Sequence, residues 1–314
     1  MNNELKRLAF CLSVCITVTA ILSCSDDNDD TPIDTTRNDN KNIVTKANPE
    51  LARPEFPKVK GGNSIILKYY SGDTYGLNYA VEWDTEKKSQ RWSCYIMVDH
   101  YHSNSDRQHT YKGNAGRYNP QTNPGNHPNE PQYPFDPQLP EQYRWSSDLF
   151  YGSGYDHGHI CPSADRQYSK EANYQTFYMT NMQPQRNAFN AGLWAVMEQK
   201  VRSCTPKNIG DTLFVCKGGT IDREDQIITR IRGMMIVPKY YYMALLLKEN
   251  GQYSALAFFA EHTNVNHSND NLRDYVITID ELEALTGIDF FCNLPDYIEN
   301  NVESKVAYNY WGIR

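Results

Sequence analysis

The chain has 314 residues, 31 Lys and Arg against 38 Asp and Glu, eight cysteines and a formal charge of −7. The first 24 residues carry +1 (Lys6 and Arg7 against Glu4) and residues 25–50 carry −4, which leaves −4 on the rest. That balance excludes an extended basic surface for tight nucleic-acid binding, but not an enzyme whose cations are gathered in one cleft.

Lys6 and Arg7 followed by the apolar run Leu8 to Leu22 resemble a signal peptide over residues 1–23. The run is too short, and too interrupted by Ser and Thr, for a membrane span. Its end, Ser23-Cys24, resembles a bacterial lipoprotein cleavage box, which makes Cys24 a lipidated first residue; an ordinary cleavable signal is the alternative. The first reading places the protein as an exported, outer-membrane-anchored lipoprotein, periplasmic or surface-exposed. Residues 24–58 are rich in Asp, Asn, Thr and Pro and poor in large apolar side chains. Too little apolar surface is available there to offset ordering entropy, which predicts a disordered acidic linker.

Residues 59–314 are then the folded part. Strands are predicted at 64–70, 79–84 and 91–98, the last two forming a hairpin with Lys87-Lys88-Ser89 near its turn. Residues 103–142 form a long Pro-, Asn-, Gly- and Gln-rich loop, a length that points to function or disorder. A short strand at 155–160 and a helix at 171–181 running into a turn follow. The helix at 187–202 has Leu193, Val196, Met197 and Val201 on one stripe. Further strands are expected at 212–217, 234–237, 240–247, 254–260 and 274–278. A capped helix at 279–285 ends at Gly287. Strands outnumber helices, giving a mixed α+β fold around a largely antiparallel sheet. Five cysteines remain in the folded part, an odd number, and Cys204 with Cys216 is the favoured bridge because the pair closes a short loop.

Tyr155-Asp156-His157-Gly158-His159 carries the most chemical information. On a strand Tyr155, His157 and His159 share one side, with Asp156 and Ile160 on the other. Gly158 leaves room between the histidines for a polymer backbone. An imidazole with an ordinary titration near ~6.5 suits His159 to general-base work. Asn190, Trp194 and Glu198 are spaced by four on the long helix and share a face. Oxygen donors from Asn190 and Glu198 suit a hard cation such as Mg²⁺. Zinc on His157 and His159 is a weaker option, since no third ligand of matching type lies nearby.

In order, Asp156, Gly158, His159, Pro162, Asn181, Pro184, Gln185, Asn190, Gly192, Trp194 and Glu198 resemble the motif series of the DNA/RNA non-specific endonucleases of the ββα-metal (His-Me finger) superfamily. The resemblance spans about residues 64–300 and assigns 59–314 as an endonuclease domain. It implies cleavage of DNA and RNA to 5′-phosphate ends with Mg²⁺, for which Mn²⁺ can substitute. It implies His159 as base, Asn190 as the one direct protein ligand of the metal, Glu198 as holder of a metal-bound water, and Asn181 as support for the region. The family arginine before the glycine is His157 here. If His157 carries that charge it must be protonated while His159 is neutral, which predicts a bell-shaped pH profile. The family's upstream phosphate-contacting arginine is placed at Arg117, with Arg107 as the alternative. A catalytically weak or inactive surface lipoprotein of the same fold, binding nucleic acid or another partner, is the second functional reading.

Overall fold

The computed structural model describes residues 34–72, 76–99, 111 and 113–314. The signal peptide, Cys24 and Arg107 lie outside the described residues. Among the described residues no helix is long and apolar enough to cross a membrane.

The centre is a seven-stranded antiparallel sheet. Its strands are β1 (Ser64–Tyr70), β2 (Leu77–Asp84), β3 (Ser89–Met97), β6 (Thr212–Gly219), β9 (Tyr240–Glu249), β10 (Gln252–Glu261) and β11 (Val276–Ile277), in that spatial order. Two ribbons stand apart from it: β4 (Asp156–His159) with β5 (Met182–Gln185), and β7 (Ile227–Ile231) with β8 (Met235–Pro238). The helices are α1 (Lys170–Gln175), α2 (Ala195–Ser203), α3 (Ile279–Thr286) and α4 (Asp296–Glu303). The α+β expectation holds.

Both faces of the sheet are covered, which explains why β9 reads as an unbroken apolar run rather than an alternating one. Tyr241, Met243, Leu245 and Leu247 enter one core with Phe177, Phe189 and Trp194. Tyr240, Tyr242, Ala244 and Leu246 enter the other with Leu282, Leu285 and Val302 of α3 and α4. Helix α3 is capped as the sequence predicts: Thr278 and Glu281 form a reciprocal capping box, and Gly287 ends the helix at φ 69°.

Four expectations need correction. Residues 37–58 are not a free linker. Asn38, Asn40, Asn42 and Asn293 tie this segment to residues 289–299 through side-chain hydrogen bonds, and Phe56 is fully buried. Polar side chains bonding backbone groups do there what apolar area alone could not. Cys204 and Cys216 are both free thiols. Cys204 packs toward one core and Cys216 lies in the other, on opposite faces of β6, so no bridge can join them. The helix expected over 187–202 is broken: a wide turn, Phe189–Trp194, precedes α2, and Gly192 departs from helical dihedrals (φ −101°, ψ −112°). The expected helix at 171–181 is shorter, with α1 ending at Gln175 and a 3-10 turn at Met179–Asn181.

Candidate active site

Ribbon β4–β5 and the bend before α2 make the ββα unit. Gln183 on β5 docks the ribbon: its Nε2 donates to Gln90 O at 3.1 Å, and its Oε1 accepts from Gly219 N–H at 2.7 Å. Tyr241 Oη donates to Pro184 O at 2.7 Å, and Trp194 Nε1 to His159 O at 3.3 Å. The histidine strand is thereby fixed to both the sheet and the helix.

Around this unit is an open cleft lined by Arg117, Tyr133, Asp156, His157, His159, Asn190, Trp194 and Glu198, among others. The segments that the sequence singled out thus converge. Of the predicted catalytic and metal residues that the structure describes, only Asn181 is not part of the lining. It is fully buried and supports the strand from behind: Nδ2 donates to Cys161 O and Thr176 O, and Oδ1 accepts from Cys161 N–H.

His159 Nε2 is buried and has no hydrogen-bond partner. Burial, then the positive charge of Arg117 and of His157, lower this imidazole from its ordinary value to about 3, against a hydrogen bond with the His157 backbone. Nε2 is thus the ring nitrogen left free to take up a proton. His159 is therefore a neutral acceptor throughout the physiological range.

Asn190 Nδ2 donates to Asp156 Oδ2 at 3.0 Å, as does Asn187 Nδ2 at the same distance. With its amide nitrogen held, Asn190 presents an Oδ1 that no described residue bonds. Asp156 is thus part of the cleft rather than on the far side of the strand as alternation predicts. The strand has only four residues, and its first can turn toward the bend. Gly158 also serves a different purpose from the one expected: a Cβ there would lie 2.4 Å from Gln185 Cδ, so the glycine admits β5 rather than substrate.

Glu198 lies between cations. Its Oε1 is 3.3 Å from Lys217 Nζ and its Oε2 is 3.9 Å from Arg202 Nη1, which also reaches Asp165 at 2.9 Å. Burial raises the Glu198 carboxyl, and Lys217 is the main opposing influence. Lys217 is itself fully buried, with its ammonium over the rings of Trp194 and Tyr95.

His157 is sandwiched between the rings of Tyr133 (3.7 Å) and Phe150 (4.2 Å), and its Nε2 lies 3.0 Å from Asp148 Oδ2. Burial alone would raise the Asp148 carboxyl; the bond to His157 and its charge outweigh this and hold it below the usual range. Arg117 sits over the Phe177 ring at 4.9 Å and brings a permanent cation into the cleft.

The sequence pattern of DNA/RNA non-specific endonucleases matches residues 68–297. The chain belongs to that family. A nuclease of Nostoc sp. is 28% identical over 270 residues, spanning 82% of this chain and 84% of its own. The mitochondrial nuclease EXOG of Xenopus laevis is 26% identical over 269 residues, spanning 80% of this chain and 67% of its own. Among solved structures, the complex of EndoG with EndoGI superposes with a TM-score of 0.57 over 76% of this chain and 91% of that one, at 16% identity, and speaks for the fold alone. This protein is a DNA/RNA non-specific endonuclease with a ββα-metal fold. Tyr133 of the endonuclease cleft, and Asp148 and Lys217 that contact its His157 and Glu198, had no signal in the sequence. Arg202 did have one, four residues after Glu198 on the same helix.

Proposed function

We propose that this endonuclease hydrolyses DNA and RNA to 5′-phosphate and 3′-hydroxyl ends with one divalent cation, Mg²⁺ or Mn²⁺ in its place. One observation carries the reading: a neutral imidazole with a free, buried Nε2 shares a cleft with a carboxamide whose nitrogen is tied to a carboxylate. Asn190 Oδ1 fits a hard cation that keeps most of its own waters, and Glu198 supports it through solvent. When bound, the cation supplies Lewis-acid polarisation of a phosphoryl oxygen and offsets charge on it. His159 Nε2 would accept the proton of the attacking water as the new O–P bond forms and the bond to the 3′ oxygen breaks, the departing oxygen taking a proton from solvent to become the 3′-hydroxyl. Arg117 and His157 hold the phosphate; Asp148 and the two flanking rings hold His157.

Plasmid nicking by the fragment from residue 34 onward is expected with Mg²⁺ and to be lost in excess EDTA, for RNA as for DNA. Undiminished cutting in EDTA sinks the one-cation reading. We also propose that Cys24 carries a lipid anchor that holds the exported enzyme at the outer membrane, as the Ser23-Cys24 boundary suggests. Cys24→Ala should then move from the detergent phase to the aqueous phase on phase partitioning, and equal partitioning of mutant and wild type rules the anchor out.

A further inference from the structure

On the face of the sheet away from the cleft, α3 and α4 bring three carboxylates together. Asp280 and Glu283 are three residues apart on α3 and so share a side of it. Glu303 is the last residue of α4. One oxygen from each lies within 4.8 Å of the other two. Among the described residues, no Lys, Arg or His pairs with any of them. Glu283 accepts one backbone N–H, from Phe290 at 2.7 Å. Glu303 accepts nothing: it is 6% exposed, and its Oε1 is buried without a partner.

The surroundings make this worse for an anion. Glu299, one turn earlier on α4, and Asp289 add negative charge; Asn40 Nδ2 donates to both. The carboxylate of Glu303 also sits at the negative end of its own helix. Burial, then repulsion from Glu283 and Glu299, pushes Glu303 up to about 10. A buried carboxylate with no partner is costly, and the cost is relieved either by a proton or by a cation. Oxygens within 4.8 Å of one another can close on one ion with small side-chain movements, and the flexible ~2.3–2.6 Å shell of Ca²⁺ accommodates such a set more readily than the rigid ~2.0–2.1 Å octahedron of Mg²⁺.

We propose that Asp280, Glu283 and Glu303 form a second cation site, suited to Ca²⁺, that clamps α3 to α4. The site stands apart from the nuclease chemistry, on the opposite face of the sheet. Its occupation stiffens the acidic end against which Asn40 and the segment at 37–58 are tied.

The test uses the full chain carrying Asn190→Ala, so that the cleft does not contribute to binding. Titration with Ca²⁺ is expected to show one saturable site by calorimetry and to raise Tm by about 5 °C or more at saturation. Adding Glu303→Gln should weaken binding at least ~10-fold and remove the Tm shift, because one of the few charged ligands is lost. If Glu303→Gln folds poorly, Asp280→Asn, at an exposed position, should give the same loss. Absence of heat and of any Tm shift up to ~10 mM Ca²⁺, beyond the range of weak extracellular sites, would mean that protons alone satisfy the carboxyls, and the proposal fails. A shift that survives both substitutions also overturns it.

Discussion

His159→Ala is expected to lower turnover on plasmid DNA by about 10²–10⁴-fold, with little change in the amount of folded protein. Nε2 is a buried basic atom without a partner in the cleft, and alanine leaves nothing at that position to receive the water's proton. The fold should survive because the contacts that place this strand run through the backbone. Trp194 bonds the carbonyl of residue 159, and β4 pairs with β5 through main-chain groups. The pH dependence gives an independent check. An imidazole lowered to about 3 is already neutral at pH 5, so wild-type activity should not fall through pH 6.5 on account of His159. The ascending limb expected from an ordinary histidine is displaced far to the acid side. Stability carries the same signature. Between its folded value and the ordinary value near ~6.5 the unfolded chain binds the proton and the folded one does not, so stability falls as pH drops through that window. His159→Ala should remove that component, visible as a smaller drop in Tm between pH 7 and pH 4 than in wild type. Near-wild-type turnover in the variant would show that another group is the base.

What the sequence made legible is what the backbone keeps local. His159, Asn190, Trp194 and Glu198 stand at short, regular spacings, and the elements that carry them are contiguous, so the motif survives the change from an expected straight helix to a bend at Gly192. The residues that tune these groups come from elsewhere. Tyr133 and Asp148 belong to a loop region with no hydrophobic period, and Lys217 lies on β6 of the central sheet. No spacing along the chain relates them to His157 or Glu198. Strand β5 has no strand signature because Met182-Gln183-Pro184-Gln185 is polar and contains a proline. The proline is tolerated in a two-stranded ribbon, where it has no second neighbour to bond. The segment at 37–58 carries no sign of its order in its composition, for a related reason. Composition counts the apolar area a segment can bury, whereas this one is anchored by asparagine amides and by two large buried apolar side chains, Leu51 and Phe56.

Asn190→Ala should act through the metal rather than through proton transfer, and its neighbour Asp156 should reveal this. In the cleft the carboxylate of Asp156 holds the amide nitrogens of both Asn190 and Asn187. That contact fixes which end of the Asn190 carboxamide is free, since a carboxylate accepts only from the nitrogen. Without it the amide can rotate, and the oxygen is presented only part of the time. Loss of a group that orients a metal ligand typically costs about 10–100-fold in metal affinity or activity. Asp156→Ala should therefore raise the Mg²⁺ concentration for half-maximal nicking by about 10–100-fold, with a rate at saturating Mg²⁺ closer to wild type than that of His159→Ala. Asn190→Ala removes the oxygen itself and should be the more severe of the two. The double variant should be no worse than Asn190→Ala alone, because once the ligand is gone there is nothing for Asp156 to orient. Additive losses, or an Asp156→Ala defect that does not respond to Mg²⁺, would mean that Asp156 acts on substrate directly.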